Sequence, residues 1–182
     1  QRQMCIRDRY GLSHYNKKTD IISIAIMEQD EIHKFNKIIP DDTNLEINIS
    51  CPNTDKHMIN KGIQVFLNDK RKWCILKLSP LTDTSLIDSY YKQGFRQFHC
   101  CNTLPSNNGG LSGTVLTPYT NKLVSHIQTN YKDTIIIAGG GIYDSNAISN
   151  YKNIGANHFS ISTIFFHPTK VLPLLYWYYN SK

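Results

Sequence analysis

The sequence lacks the features that would assign it to several common protein classes. None of its five cysteines forms a C-x-x-C pair, and its seven histidines stand singly. That spacing gives neither a disulfide framework nor a metal site, so the thiols read as reduced and the compartment as cytoplasmic. Long hydrophobic runs are missing too. The longest, Ile135–Ile142 and Val171–Tyr179, fall far short of the roughly 20 residues that a transmembrane helix needs. Only 19% of residues are charged against 40% apolar, the balance of a folded chain rather than a disordered one. The net charge is +6, yet the densest basic cluster is Lys70-Arg71-Lys72. Nucleic-acid surfaces concentrate their cations on one face, so the charge reads as a solvated surface and not as a nucleic-acid interface. A length of 182 residues fits one domain with little left over.

The first nine residues differ from the rest. Gln1–Arg9 holds three of the five arginines and no periodic apolar pattern, and Met4–Arg9 resembles a translated sequencing-library adapter. We expect residues 1–9 to be a non-native tail, excluded from fold reasoning, and the domain to run over residues 10–182. Without the tail, three arginines and one aspartate fewer, the net charge falls to +4.

From there on, short β-rich runs recur: Asp20–Ile26, Leu45–Ser50, Trp73–Leu78, Gln97–Cys101, Thr134–Ala138 and His158–Ser162. Segments of helical spacing lie between them, at Glu28–Ile39, Ser85–Gln93, Tyr119–Tyr131 and Ser145–Asn153. This alternation predicts βαβ units and a parallel sheet. Asp83 or Thr84 and the Asp144-Ser145 pair supply helix starts, and Gly94 and Gly155 supply left-handed caps. The pattern fits an open doubly wound sheet, or most of an eight-stranded barrel lacking its beginning.

In such folds the loops at the carboxyl ends of the strands build the site, and the unusual residues collect there. After the second strand, Asn48, Ser50, Cys51, Pro52 and Asn53 follow in one loop. Amides flanking a thiol suit a flat polar ring, and a thiolate serves as base or nucleophile when its pKa is lowered locally. A buried cysteine before an Asn-rich turn is the plainer alternative. Lys77 sits in an otherwise apolar strand, where burial demands an anionic partner or a ligand; an outward-facing, snorkelling residue is the other option. Adjacent Cys100 and Cys101 read as packing residues. The Asn107–Gly113 loop has three glycines in five residues, Gly109, Gly110 and Gly113, which let the backbone approach a ligand and offer N–H groups to an anion. Gly139, Gly140 and Gly141 end the fifth strand, and Ser160, Ser162 and Thr163 end the sixth. In a barrel lacking its start these are the seventh and eighth strands, whose loops usually hold phosphate.

Together the motifs resemble dihydroorotate dehydrogenase (DHODH). The matching elements are Glu46–Thr54 (EINISCPNT), Lys77–Asp83 (KLSPLTD), Cys101–Thr103 (CNT), Gly109–Gly113 (GGLSG), Ala138–Ile142 (AGGGI) and Ile161–Phe165 (ISTIF), in the family's order. The resemblance implies an α/β fold, a (β/α)₈ TIM barrel binding FMN over its carboxyl end, with about six of eight strands present, the third to the eighth. It implies oxidation of dihydroorotate to orotate in pyrimidine biosynthesis. It further implies that Cys51, as in the cysteine-using class 1, takes the C5 proton while a hydride leaves C6. Asn48, Asn53, Asn102 and Thr103 would hold the substrate, and Lys77 would stand beside the flavin's N1/O2 edge. Asn102, Ser112, Gly113, Gly140, Gly141, Ser162 and Thr163 would complete the FMN contacts.

The segment Asn53–Arg71 departs from the family pattern, and the binding lysine and asparagine of the early strands have no counterpart here. A barrel without two strands keeps two unpaired edges and exposed apolar surface, so the expectation is a poorly stable, inactive fragment of an active parent. The full-length parent is expected as a homodimer, with fumarate, NAD through a partner subunit, or quinone accepting electrons. Rival readings keep the flavin but change the substrate, as in dihydropyrimidine dehydrogenase or dihydrouridine synthase, or retain a phosphate-binding barrel without catalysis. Val171–Tyr179 reads as a closing helix packed on the barrel, or as an aromatic subunit interface.

Overall fold

The computed structural model describes residues 16, 20–26, 28–49, 62–101, 103–106 and 109–181. The expected tail 1–9, and Cys51, Asn53 and Asn102, lie outside the described residues.

Among the described residues eight strands form, six of them in one parallel sheet. They are β1 (Ile22–Ala25), β2 (Leu45–Asn48), β3 (Cys74–Lys77), β4 (Gln97–Cys100), β7 (Ile135–Gly139) and β8 (His158–Ser160), in spatial order β1-β2-β3-β4-β7-β8. Helices α1 (Glu31–Ile38), α2 (Thr84–Lys92), α3 (Thr117–Asn130), α4 (Ser145–Asn153) and α5 (Pro168–Asn180) alternate with them, and a 3₁₀ turn at Ile63–Phe66 takes the helix position after β2. Strand order follows chain order without a reversal. A doubly wound sheet reverses at a switch point; this one winds in one direction, as a (β/α)₈ barrel does.

Burial alternates with the strand period of two on β2, while on the central strands β3 and β4 both faces are buried. Leu45 and Ile47, Leu76, Phe98, Ile136 and Ala138 point to one side, where they are buried in a core shared with the helices through Ile32, Ile87, Tyr90, Leu123, Val124, Ile127, Ile148 and Tyr151. Their neighbours in sequence face the other side, and in register they line up as Ser23 beside Glu46 and Asn48 beside Lys77, with Lys77 beside His99. The two faces therefore differ in chemistry: hydrocarbon under the helices, and on the concave side polar groups interleaved with Ile75 and Ile137. Trp73, before β3, and His158, opening β8, meet edge to face with ring centroids 5.4 Å apart. Strands three positions apart in a flat sheet are separated by about 14 Å, so the contact reflects a sheet curling toward itself.

The helix ends form as their residues dictate. Asp83 Oδ1 accepts the Ser85 N–H at 2.8 Å and Asp144 Oδ1 the Ala147 N–H at 2.9 Å, each replacing an absent intrahelical acceptor. Gly94 and Gly155 take φ of 106° and 108° at the helix exits, with Phe95 N–H donating to Tyr90 O and Ala156 N–H to Tyr151 O, the six-to-one bond of a left-handed cap.

Two elements differ from expectation. The glycine-rich loop after β4 is an antiparallel hairpin, β5 (Leu104–Ser106) with β6 (Gly109–Leu111); Pro105 and two glycines disguise it, being depleted in strands. The closing helix does form, with Pro173 inside it, yet only Leu174 is fully buried, flanked by half-buried Val171 and Trp177. Its opposite stripe stays in solvent: Leu172 is 74% and Tyr176 75% exposed, beside exposed Phe165, Phe166 and Tyr179. Among the described residues β1 and β8 are the sheet's edges. No described helix is long and apolar enough to cross a membrane.

Candidate functional site

Three adjacent strands bring charge to the concave face. Glu46 of β2, Lys77 of β3 and His99 of β4 have side chains only 12%, 17% and 8% exposed. Glu46 is the hub. Its Oε1 accepts the Ser23 hydroxyl at 2.8 Å and pairs with Lys77 Nζ at 3.4 Å, and its Oε2 meets His99 Nδ1 at 2.7 Å. Burial pushes the Glu46 carboxyl up, but the His99 hydrogen bond and charge, the Lys77 charge and the Ser23 hydroxyl outweigh it and hold the pKa down to about 2. Lys77 thus has the anionic partner that a lysine in an apolar strand requires, and it lies on the concave face.

A cleft of about 560 Å³ opens on that face, lined among others by Asp20, Ser23, Glu46, His99, His158 and Ser160. It opens at the amino ends of β1, β2 and β3 and extends to His99 of β4 and Ser160 at the end of β8. Asn48 and Lys77, in register, stand above it at the carboxyl ends of β2 and β3.

Three loops converge further round. A Cβ on Gly141 would stand 2.6 Å from Thr117 Oγ1 and 3.0 Å from Thr114 Cα, and one on Gly113 would stand 3.1 Å from the Tyr143 hydroxyl. The glycine turn after β7 is therefore pressed against the exit of the hairpin, and no larger residue fits at Gly141. Tyr143 also touches the His167 ring edge-on at 5.5 Å, reaching the segment that holds Ser162 and Thr163. Tyr151 OH donates to Gly140 O at 2.6 Å and pins the same turn from below. Ser112 is exposed as the chain leaves β6, and Thr103 is half-buried at the hairpin base, tight against Gly110.

The described cysteines are buried. Thr120 Oγ1 donates to Gly139 O at 2.8 Å, so the Cys101 thiol, 3.2 Å from the same oxygen, must be the donor in that contact. Burial pushes Cys101 and Cys74 up to about 11, and Cys100 well above its ordinary value. Cys100 and Cys101 sit in the core as packing residues, as read from the sequence. No group of three or more potential metal ligands occurs among the described residues.

Of the sequence-predicted site residues, the structure sets Asn48 and Lys77 side by side and brings Gly113, Gly140 and Gly141 together; Thr103 and Ser112 belong to the hairpin. Glu46 and His99, which share the polar face with Lys77, do not stand out in the sequence. The signal was nonetheless present, because a buried lysine requires a nearby acid, and Glu46 shares the alternation of Asn48.

The fold and this polar face define a parallel, singly wound α/β sheet, an arc of a (β/α)₈ barrel. The same fold occurs in crystal structures of DHODH from Eimeria tenella. The ferulenol complex matches with a TM-score of 0.63 at 19% identity, covering 80% of this chain and 51% of that one. The ligand-free form matches with a TM-score of 0.64 at 22% identity, covering 81% and 53%. The chain spans about half the length of these structures. No protein-family model and no curated protein matches it.

Proposed function

We propose that the chain is the larger part of an FMN-dependent dihydroorotate dehydrogenase of the cysteine-using kind. The observation that carries this reading is the placement of Lys77 on the concave face. It stands beside Asn48, with the Gly113 and Gly140-Gly141 turns pressed together further round the same end of the sheet, in a fold shared with DHODH structures.

The residues fit the cofactor's chemistry. Backbone N–H groups of glycine turns, with the hydroxyls of Ser162 and Thr163, are donors suited to a phosphate. Lys77 is a cation suited to the electron-rich edge of the ring. Ser112 and Asn102 would extend these contacts. FMN held there would supply the acceptor for the hydride leaving C6 of dihydroorotate. Cys51 would remove the C5 proton, and Asn48, Asn53, Asn102 and Thr103 would fix the pyrimidine and its carboxylate.

The test is spectroscopic. Protein from a full-length coding sequence is purified, its flavin band recorded, and dihydroorotate added without oxygen. Bleaching by dihydroorotate, lost in Cys51→Ala with flavin retained, is the expected result. Bleaching only by dihydrouracil, or turnover of tRNA alone, assigns a related flavin barrel instead. A phosphate-binding protein with no flavin band refutes the redox reading.

A further inference from the structure

We infer that Thr120 of α3 and Tyr151 of α4 are positioning residues for the phosphate end of the cofactor. The inference rests on the flavin reading for the identity of the ligand, not for its geometry. Both side chains are fully buried, and both direct their hydroxyls at the glycine turn after β7. Thr120 Oγ1 donates to Gly139 O at 2.8 Å, and Tyr151 OH donates to Gly140 O at 2.6 Å. A threonine inside a helix commonly donates to the carbonyl four residues back; here the hydroxyl crosses to a strand end instead. The Cys101 thiol, 3.2 Å from Thr120 Oγ1, takes its acceptor side. Thr120 is thus held from the end of β4 while it holds the end of β7.

Covalent geometry carries the effect from the carbonyls to the amides. A trans peptide is planar, with its N–H opposite its C=O. The Gly139 carbonyl shares one such plane with the Gly140 N–H, the Gly140 carbonyl shares the next with the Gly141 N–H, and both bonds are trans. With the carbonyls drawn toward α3 and α4, both N–H groups face the opposite way, out of the helical layer. The turn reaches this state through φ of 92° at Gly140 and 72° at Gly141, and Leu116 and Thr117 press on it closely enough to keep it there. Among the described residues neither N–H has an acceptor. Successive backbone N–H groups in a turn form an anion-binding concavity, and both glycines are half-buried, within reach of a ligand.

Protein from a full-length coding sequence is compared with Thr120→Val, which keeps the shape without the hydroxyl, with Thr120→Ser, which keeps the hydroxyl, and with Tyr151→Phe. Dissociation constants are measured for FMN and for riboflavin, which has the same ring and no phosphate. Thr120→Val and Tyr151→Phe each weaken FMN about tenfold to hundredfold, the worth of one hydrogen bond to a charged group, and leave riboflavin within about twofold. Thr120→Ser binds FMN as the wild type does. Equal weakening of both ligands means a general loosening of the core and overturns the inference, as does unchanged FMN binding in the two hydroxyl-deleted variants. A wild type that binds FMN and riboflavin equally overturns it while leaving the flavin reading intact. Should Thr120→Val not fold, Tyr151→Phe decides alone. Should no flavin bind, the functional reading fails, and the amide ¹⁵N–¹H shifts of Gly140 and Gly141 during titration with inorganic phosphate decide this one. Shifts that vanish in Tyr151→Phe support it; amides indifferent to phosphate, or equally responsive in both proteins, overturn it.

Discussion

Among the described residues Glu46 has three partners and Lys77 has one, and this asymmetry makes an unequal prediction. In Glu46→Gln the amide oxygen can still accept from Ser23. The 2.7 Å bond from His99 loses its charge, and Lys77, 17% exposed, loses its counter-charge. Breaking a buried pair from one side costs roughly 3–5 kcal/mol. In Lys77→Met the removed contact is the longest of the three at 3.4 Å, and Glu46 keeps the 2.8 Å Ser23 and 2.7 Å His99 bonds. The carboxylate stays solvated by protein, and methionine suits a strand flanked by Leu76 and Leu78. A cost of about 1–2 kcal/mol follows. Urea denaturation of the full-length polypeptide, followed by circular dichroism and tryptophan fluorescence, reads the difference of about 2 kcal/mol. If Lys77→Met is as damaging as Glu46→Gln, Glu46 is not the hub of the concave face.

Three further outcomes are expected. Because the Glu46 pKa is held at about 2 in the folded chain against 4.5 ordinarily, its stabilisation is fully present above pH 4.5 and lost as pH falls toward 2. This amounts to on the order of 3 kcal/mol, and acid denaturation of Glu46→Gln should lack that limb. Tyr151→Phe deletes the 2.6 Å bond to Gly140 O and should cost about 1 kcal/mol and weaken FMN retention, whereas Gly140→Ala, forced to φ 92° with its Cβ 2.7 Å from Leu116, should abolish retention; a tightly held flavin in Gly140→Ala would contradict this packing. The exposed stripe of Leu172, Tyr176 and Tyr179 should make the 182-residue chain self-associate in sedimentation, with Leu172→Glu reducing it; a wild-type chain that stays monomeric at high concentration would count against that surface.

The parallel architecture was legible because short apolar runs alternate with helical segments, and those helices are bounded by cap residues whose chemistry is local. Asp83, Gly94, Asp144 and Gly155 do in space what their positions in sequence require. Winding direction was not legible: it depends on which strands pair, and Leu45, for example, could neighbour β1 or β4 with the same local pattern. The hairpin was hidden because Pro105, Gly109 and Gly110 are poor strand formers held by cross-strand pairing and the Ser106 bond to Gly109 O. Lys77 stood out as a cation in hydrocarbon. Glu46 and His99 did not, since each becomes informative only once β2, β3 and β4 are neighbours in register.

The most direct measurement is a crystal structure of the full-length protein grown with FMN and orotate. The sulfur of Cys51 and the amine of Lys77 should approach the same flavin–orotate pair from the concave side, with the phosphate in the Gly113, Gly140-Gly141 and Ser162-Thr163 turns. A Cys51 sulfur buried beneath the helices, or a flavin bound away from Lys77, would contradict the proposed chemistry.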